Sequence, residues 1–407
     1  VLNTVYSTWP CFTQEEADTV ERVLLSNRVN ARTGQECQKF EEEFAAWTGV
    51  AHAITLMNGT VALELALRGL GVGPGDEVIV TPRSFIASVS CIVSVGATPV
   101  FADVDRNSQN ITAESIQAVL SPKTRAIICV HLAGWPCEMD EIMALADEKN
   151  LFVIEDCAQA HGARYKNKPM GSLGHVAAWS FCQDKIMTTG GEGGMVTTND
   201  KALWSRMWSY KDHGKSWDAM FGSERKEGFQ WVHEQFGTNW RMTEMQAAIG
   251  RIQLNRMDDW HTKRLSNLRQ IEKVARRIPG LRVPKIPAYI EHAAYKAYVF
   301  FEPNMLAQGW DKERIMMEMW SRDVPCYAGT CAEIYHEKAF DGTGWRPDKS
   351  LPIAQELGET SFMLLIHPTL TRDEMNHTCG VLQEIMQFAT GKHVVEQGEV
   401  ETMLEEA

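Results

Sequence analysis

No apolar run in this 407-residue sequence approaches the roughly 18 to 20 residues that a membrane-spanning helix needs. Basic residues are also short: 40 Lys and Arg stand against 53 Asp and Glu, a formal net charge of −13. That balance argues against nucleic acid or an anionic membrane as a partner. Part of the negative charge is local, in a tail after Gly391 where Glu396, Glu399, Glu401, Glu405 and Glu406 face only Lys392. Such a tail is expected to be solvated and disordered. The ten cysteines include no Cys-x-x-Cys, so neither a disulfide framework nor a zinc site is expected, and no metal is assigned. Val1 to Pro10 lacks the basic start and apolar block of a secretory signal, which makes a cytoplasmic protein the expectation.

Two nucleotide-binding signatures are missing as well. No Gly-x4-Gly-Lys-Ser/Thr occurs. The glycines at 69, 71, 73 and 75 fail Gly-x-Gly-x-x-Gly, since the sixth position falls on Pro74 or Asp76. They also follow a helix and precede a strand, the reverse of the dinucleotide arrangement.

What is present alternates. Thr13-Gln-Glu-Glu16 is a capping-box pattern for a first helix. A second is expected from Gln38 to Trp47, stopped by Gly49, and a third from Val61 to Leu70, opened by Asn58-Gly59-Thr60. Strands are expected at Glu77–Val80, Pro99–Ala102, Ala126–Val130 and Leu151–Ile154. Helices are expected between them at Phe85–Val95, Ile111–Leu120 and Met139–Glu148. This is the pattern of an α/β fold with a mostly parallel sheet flanked by helices. A long helical stretch from Thr243 to Arg277, with a break, suggests a bridge between two domains. The division is placed at 255: residues 1–255 large, 256–390 a smaller C-terminal α+β domain, and 391–407 the acidic tail.

Chemistry gathers where open α/β sheets bind ligands, at the ends of strands. Ile154-Glu155-Asp156 closes one strand; Ser180-Phe-Cys-Gln-Asp-Lys185 and the loop Thr188-Thr-Gly-Gly-Glu-Gly-Gly194 come after it. An acid, a lysine and a Gly-Thr at a helix start together meet the needs of pyridoxal phosphate. The acid keeps the pyridine nitrogen protonated. The lysine forms an imine and later moves a proton. The helix N-terminus, at Gly59 and Thr60, takes the phosphate. Taken singly, each feature is more often a cap, a solvated charge or a helix start; their order and spacing carry the reading.

From Thr13 to Gln387 the chain resembles the DegT/DnrJ/StrS-like sugar aminotransferases, fold-type I pyridoxal-phosphate enzymes that act on nucleotide-linked keto sugars in antibiotic and surface-polysaccharide pathways. The stretches that carry the resemblance are Gly34–Ala45, Asn58–Leu63, Gly73–Val78, Gly96–Phe101, Ile154–Gly162, Ser180–Gly194 and Asn239–Leu254. The resemblance implies that Lys185 bears the cofactor, that Asp156 faces the ring nitrogen and that Gln159 bonds the phenolic oxygen. It puts Ser180, Gly59 and Thr60 at the phosphate and Phe85 against the pyridine ring. Asn239 would reach the phosphate of a neighbouring subunit, so a homodimer with shared sites is expected. Glutamate is the implied amino donor, leaving 2-oxoglutarate, and the acceptor a keto sugar of the 4-keto-6-deoxyhexose type. A dehydratase or a cofactor-binding regulator on the same scaffold is the alternative. His131, His161, His213 and His367 are read as structural, Trp135 as packing, and Met316, Met317 and Met319 as core.

Overall fold

A computed structural model describes residues 6–221 and 231–391; the acidic tail lies outside the described residues. The strands are β1 (His52–Leu56), β2 (Glu77–Val80), β3 (Thr98–Phe101), β4 (Thr124–Val130), β5 (Phe152–Asp156), β6 (Arg164–Tyr165), β7 (Lys168–Pro169), β8 (Val176–Ser180) and β9 (Gly194–Thr198), then β10 (Leu281–Arg282), β11 (Ile290–Glu291), β12 (Ala297–Phe301), β13 (Cys326–Tyr327) and β14 (Ser361–Leu364). Seven of them form one sheet in the order β1-β9-β8-β5-β4-β2-β3. The pairs β2–β3, β2–β4, β4–β5 and β5–β8 are parallel. Only β9 runs against its neighbours, β1 and β8.

Both faces of this sheet are covered, which is why its central strands read as near-continuous apolar runs. Along β4, Ile127 and Cys129 belong to the core on one face, and Ile128 and Val130 to the core on the other. The first core is anchored by Phe44, whose ring lies 5.1 Å from Trp179 and 5.6 Å from Phe181. Phe44→Ala is expected to cost about 3–5 kcal/mol, from lost transfer energy plus the cavity left behind. Chemical denaturation should show it as an earlier unfolding midpoint.

A smaller sheet, β10-β12-β14-β13, packs with the helices Met257–Ala275, Lys312–Trp320 and Arg372–Thr390 around a third core. Within the expected long helical stretch, Arg256 ends the helix Glu244–Asn255 and caps the next, Met257–Ala275. We propose this break as the boundary between the two domains. No described helix is long and apolar enough to cross a membrane.

Three details depart from expectation. The helix expected over Ile111–Leu120 is only Ala113–Gln117, because Ile111 bridges to Val104 and Thr112 serves as the N-cap. The helix expected from Phe85 begins at Ala87, which leaves the Phe85 ring outside it. Of the three methionines read as core, Met319 is fully buried and Met316 packs against the third core, but Met317 is 66% exposed because it faces outward from its helix.

Candidate active site

Sheet register brings the chemistry to one edge. Asp156 pairs with Val130 on one side and Ala178 on the other, while Ser180 and Leu56 both pair with Gly194. The ends of β1, β5 and β8 and the start of β9 therefore share one rim. Asn58 lies just past β1 and accepts a hydrogen bond from the Val61 amide at 3.0 Å, starting the helix Gly59–Gly69. The amides of Gly59 and Thr60 stand in its first turn, where no intrahelical acceptor exists. At Gly59 the backbone runs against the end of β8, and a Cβ there would lie 2.6 Å from Ser180 Cβ. Gly194 is just as tight, since a Cβ would come within 2.3 Å of the Asn58 carbonyl oxygen. The glycines thus permit a close cradle of amides beside the Ser180 hydroxyl.

That cradle opens onto a cavity of about 530 Å³, lined by Gly59, Thr60, Phe85, Asp156, Gln159, Ser180 and Lys185 among others. Asp156 is 5% exposed. It accepts from the Ser88 hydroxyl at 2.8 Å and from the Ala158 amide at 3.2 Å. Burial raises its pKa above the ordinary value, against the opposing pull of Ser88, the Ala158 amide and the charge of Lys185. A carboxylate held this way gains from a cationic partner in the cavity. Gln159 accepts from the Ala133 amide at 2.7 Å, which orients its NH2 group as the free donor. Phe85, by contrast, leaves 65% of its surface exposed on the cavity wall.

Lys185 lines the same cavity. Its backbone carbonyl accepts from the Trp9 indole at 2.8 Å, and its Nζ lies 5.4 Å from the centre of the Tyr295 ring. The Tyr295 hydroxyl donates to Asp184 at 2.5 Å. Desolvation would raise the Asp184 pKa, but Lys185, Tyr295 and Lys296 outweigh it and hold it below the usual value.

The geometry therefore gathers seven of the eight expected residues in one cavity. The eighth, Asn239, is exposed and bridges to Asp212 outside the lining of this chain's own cavity. His131 is fully buried, 3.2 Å from Glu155, and accepts from the Cys137 amide. Glu155 takes three further amides, from Gly171, Leu173 and Gly174. His131, Glu155 and Cys157 lie close enough to hold an ion, yet these protein partners already satisfy the His131 and Glu155 atoms. His161 is buried against Trp179 and Phe181, His367 stacks on Trp9, and neither lines the cavity. His213 lies away from it, with positive φ beside the bridge at Asp212. All ten cysteines are free.

Residues 10–383 match the model of the DegT/DnrJ/EryC1/StrS aminotransferase family. The chain belongs to that family. This aminotransferase is 41% identical over 381 residues to GDP-perosamine synthase of Escherichia coli O157:H7, covering 92% of the chain and 96% of that protein. It is 33% identical to the dTDP-3-amino-3,4,6-trideoxy-alpha-D-glucose transaminase of Streptomyces venezuelae, over 90% of each. Among solved structures, an aminotransferase from Psychrobacter cryohalolentis superposes with a TM-score of 0.91 at 58% identity, covering 93% of this chain and 98% of that one.

The cofactor of this aminotransferase is pyridoxal phosphate. Its own residues fit that group: free first-turn amides for a phosphate, a buried acid for a ring nitrogen, an exposed aromatic side chain and an amine lining the same cavity. Gly59→Ala tests the cradle. Its Cβ forces the helix away from Ser180, an overpacking of about 1–3 kcal/mol. Cofactor affinity is expected to fall about tenfold or more, measured by titrating cofactor into the unloaded variant.

Sequence reading passed over Ser88, Asp184, Tyr295 and Lys296. Asp184 could have been noticed from its place beside Lys185. The other three carry no local signal; Ser88 and Tyr295 reach their partners across 68 and 111 residues of chain.

Proposed function

We propose that this enzyme moves the amino group of glutamate onto a nucleotide-linked keto sugar of the 4-keto-6-deoxyhexose type, in a two-stage ping-pong reaction. The observation that carries the reading is the meeting of Lys185, Asp156 and the Asn58–Thr60 cradle in one cavity. The names of the two relatives support a nucleotide-sugar substrate. Pyridoxal phosphate, when bound, supplies an electron sink next to the reacting carbon.

The residues then divide the work. Gly59, Thr60 and Ser180 hold the phosphate, with the partner subunit's Asn239 completing it in a homodimer. Asp156 keeps a proton on the ring nitrogen, Gln159 donates to the phenolic oxygen, and Phe85 covers the ring face. Lys185 would anchor the cofactor and, once free, would take the proton from the donor's α-carbon. The dehydratase alternative uses a histidine at the position of Lys185, so the lysine supports transamination. The product serves as an amino sugar for a surface polysaccharide or a secondary metabolite.

An absorption spectrum before and after glutamate tests this. The visible band of the lysine-bound cofactor should fall while a near-ultraviolet band rises. GDP- and dTDP-linked 4-keto-6-deoxyhexoses are then screened for restoring the visible band. A visible band that no amino acid moves would remove the transamination reading.

A further inference from the structure

Five charged residues line the cavity: Asp156, Asp184, Glu192, Lys185 and Lys296. Lys185 is taken up by the cofactor under the reading above. Lys296 is then the one cation among the described lining residues left to face a substrate. It stands just before β12 and lines the cavity wall with Tyr298, Gly329 and Thr330. Its Nζ lies 4.9 Å from the centre of the Tyr295 ring, the same ring that Lys185 Nζ approaches to 5.4 Å. The two amines are therefore no farther apart than the sum of those distances.

Lys296 makes no hydrogen bond and no ion pair with any described residue. Asp184, on whose carboxyl both amines act by charge, is engaged by the Tyr295 hydroxyl. Behind this wall Arg264 is fully buried, with one bond to the Tyr295 carbonyl at 3.3 Å, and its Nε and Nη2 have no partner. Of the acids lining the cavity, only the charge of Asp184 acts on Lys296. A poorly solvated ammonium without an anion is costly and gains when one arrives. Burial lowers the Lys296 pKa to about 8, aided by Arg264 and Lys185 and opposed by Asp184.

We infer that Lys296 recognises the α-carboxylate of the amino donor. The inference rests on the transamination reading. The donor's reacting carbon must lie at Lys185 Nζ, and the α-carboxylate hangs one bond from that carbon. A sugar's diphosphate lies across the hexose ring from a keto carbon at position 4 and leads away from the reacting end. The cofactor's phosphate is served by the Gly59 and Thr60 amides. A lysine also suits a pocket that must admit a neutral sugar in the second stage, because at this pKa its charge is shed at small cost.

The test uses 2-methyl-L-glutamate, which keeps the α-carboxylate but has no α-proton to lose. Calorimetric titration into the cofactor-loaded enzyme should show Lys296→Met weakening its binding about 10- to 100-fold, the loss of one charge-assisted contact. Lys296→Arg should stay within a few fold. The analogue 4-amino-4-methylpentanoate, with a methyl group in place of the α-carboxylate, should bind wild type and Lys296→Met alike, and should bind wild type about as weakly as the variant binds 2-methylglutamate. That wild-type comparison can overturn the inference even where a variant fails to fold: equal affinity for the two ligands does so. So does a Lys296→Met enzyme that binds 2-methylglutamate as wild type does, or that loses both ligands equally. A wild-type enzyme that no amino acid converts is a separate result, which removes the transamination reading itself.

Discussion

Lys185→Ala is expected to remove the visible band of the lysine-bound cofactor and to slow glutamate-driven conversion by about 10⁴-fold or more. The side chain has two tasks on one amine, anchoring the cofactor and moving a proton, and no described neighbour can take both over. Lys296 is the only other amine lining the cavity among the described residues, and it stands just before β12 rather than on the loop after Ser180. The unloaded variant should fold as wild type, because the hydrogen bond that ties this loop to Trp9 uses the Lys185 backbone carbonyl, which alanine retains. The checks are stopped-flow absorption for the rate and circular dichroism for the fold. A variant that kept the visible band would place the cofactor's anchor elsewhere.

Asp156→Asn carries the second large effect, and it acts in opposite directions on loaded and unloaded protein. With cofactor bound, the amide cannot balance a protonated ring nitrogen. Loss of one partner from a buried charge pair costs about 2–5 kcal/mol, roughly 30- to 5,000-fold in the half-reaction with glutamate. Without cofactor the sign reverses. Burial raises the Asp156 pKa in the folded protein, so the ionised carboxyl destabilises the unloaded fold above that pKa. The penalty is absent below the unfolded value and grows as pH rises to the folded one. Unloaded Asp156→Asn should therefore be at least as stable as wild type at pH 7, with the gap closing in acid. Thermal melts at pH 7 and at pH 4, with and without cofactor, measure both halves. A variant less stable than wild type when unloaded would contradict the burial argument.

Much of the scaffold was legible because its physics is local. Strands such as Ala126–Val130 are apolar throughout because both sheet faces are covered, and the starts and stops at Thr13, Asn58 and Gly49 satisfy backbone groups within a turn. Errors arose where a local pattern met a tertiary demand. Phe85 fits a helix by its neighbours, yet it lies outside the helix with its ring bare in the cavity. Ile111 has helical company but is drawn into a bridge with Val104. The reversed strand β9 has no counterpart in the alternating pattern, and it is β9 that brings Gly194 against Asn58 and sets Ser180 beside the cradle.

By itself the sequence determined the α/β alternation, the kinds of groups available and their order: a Gly-Thr at a helix start, an acid at a strand end, then a lysine on a loop. These come from side-chain periodicity, capping and motif spacing, which act over a few residues. Only the tertiary structure decided that the groups share one rim, that Ser88 braces Asp156 from 68 residues away, and that Tyr295 and Lys296 line the same cavity. The reason is that sheet register and the packing of the C-terminal part set distances between residues far apart in the chain, and burial and charge pairing depend on those distances.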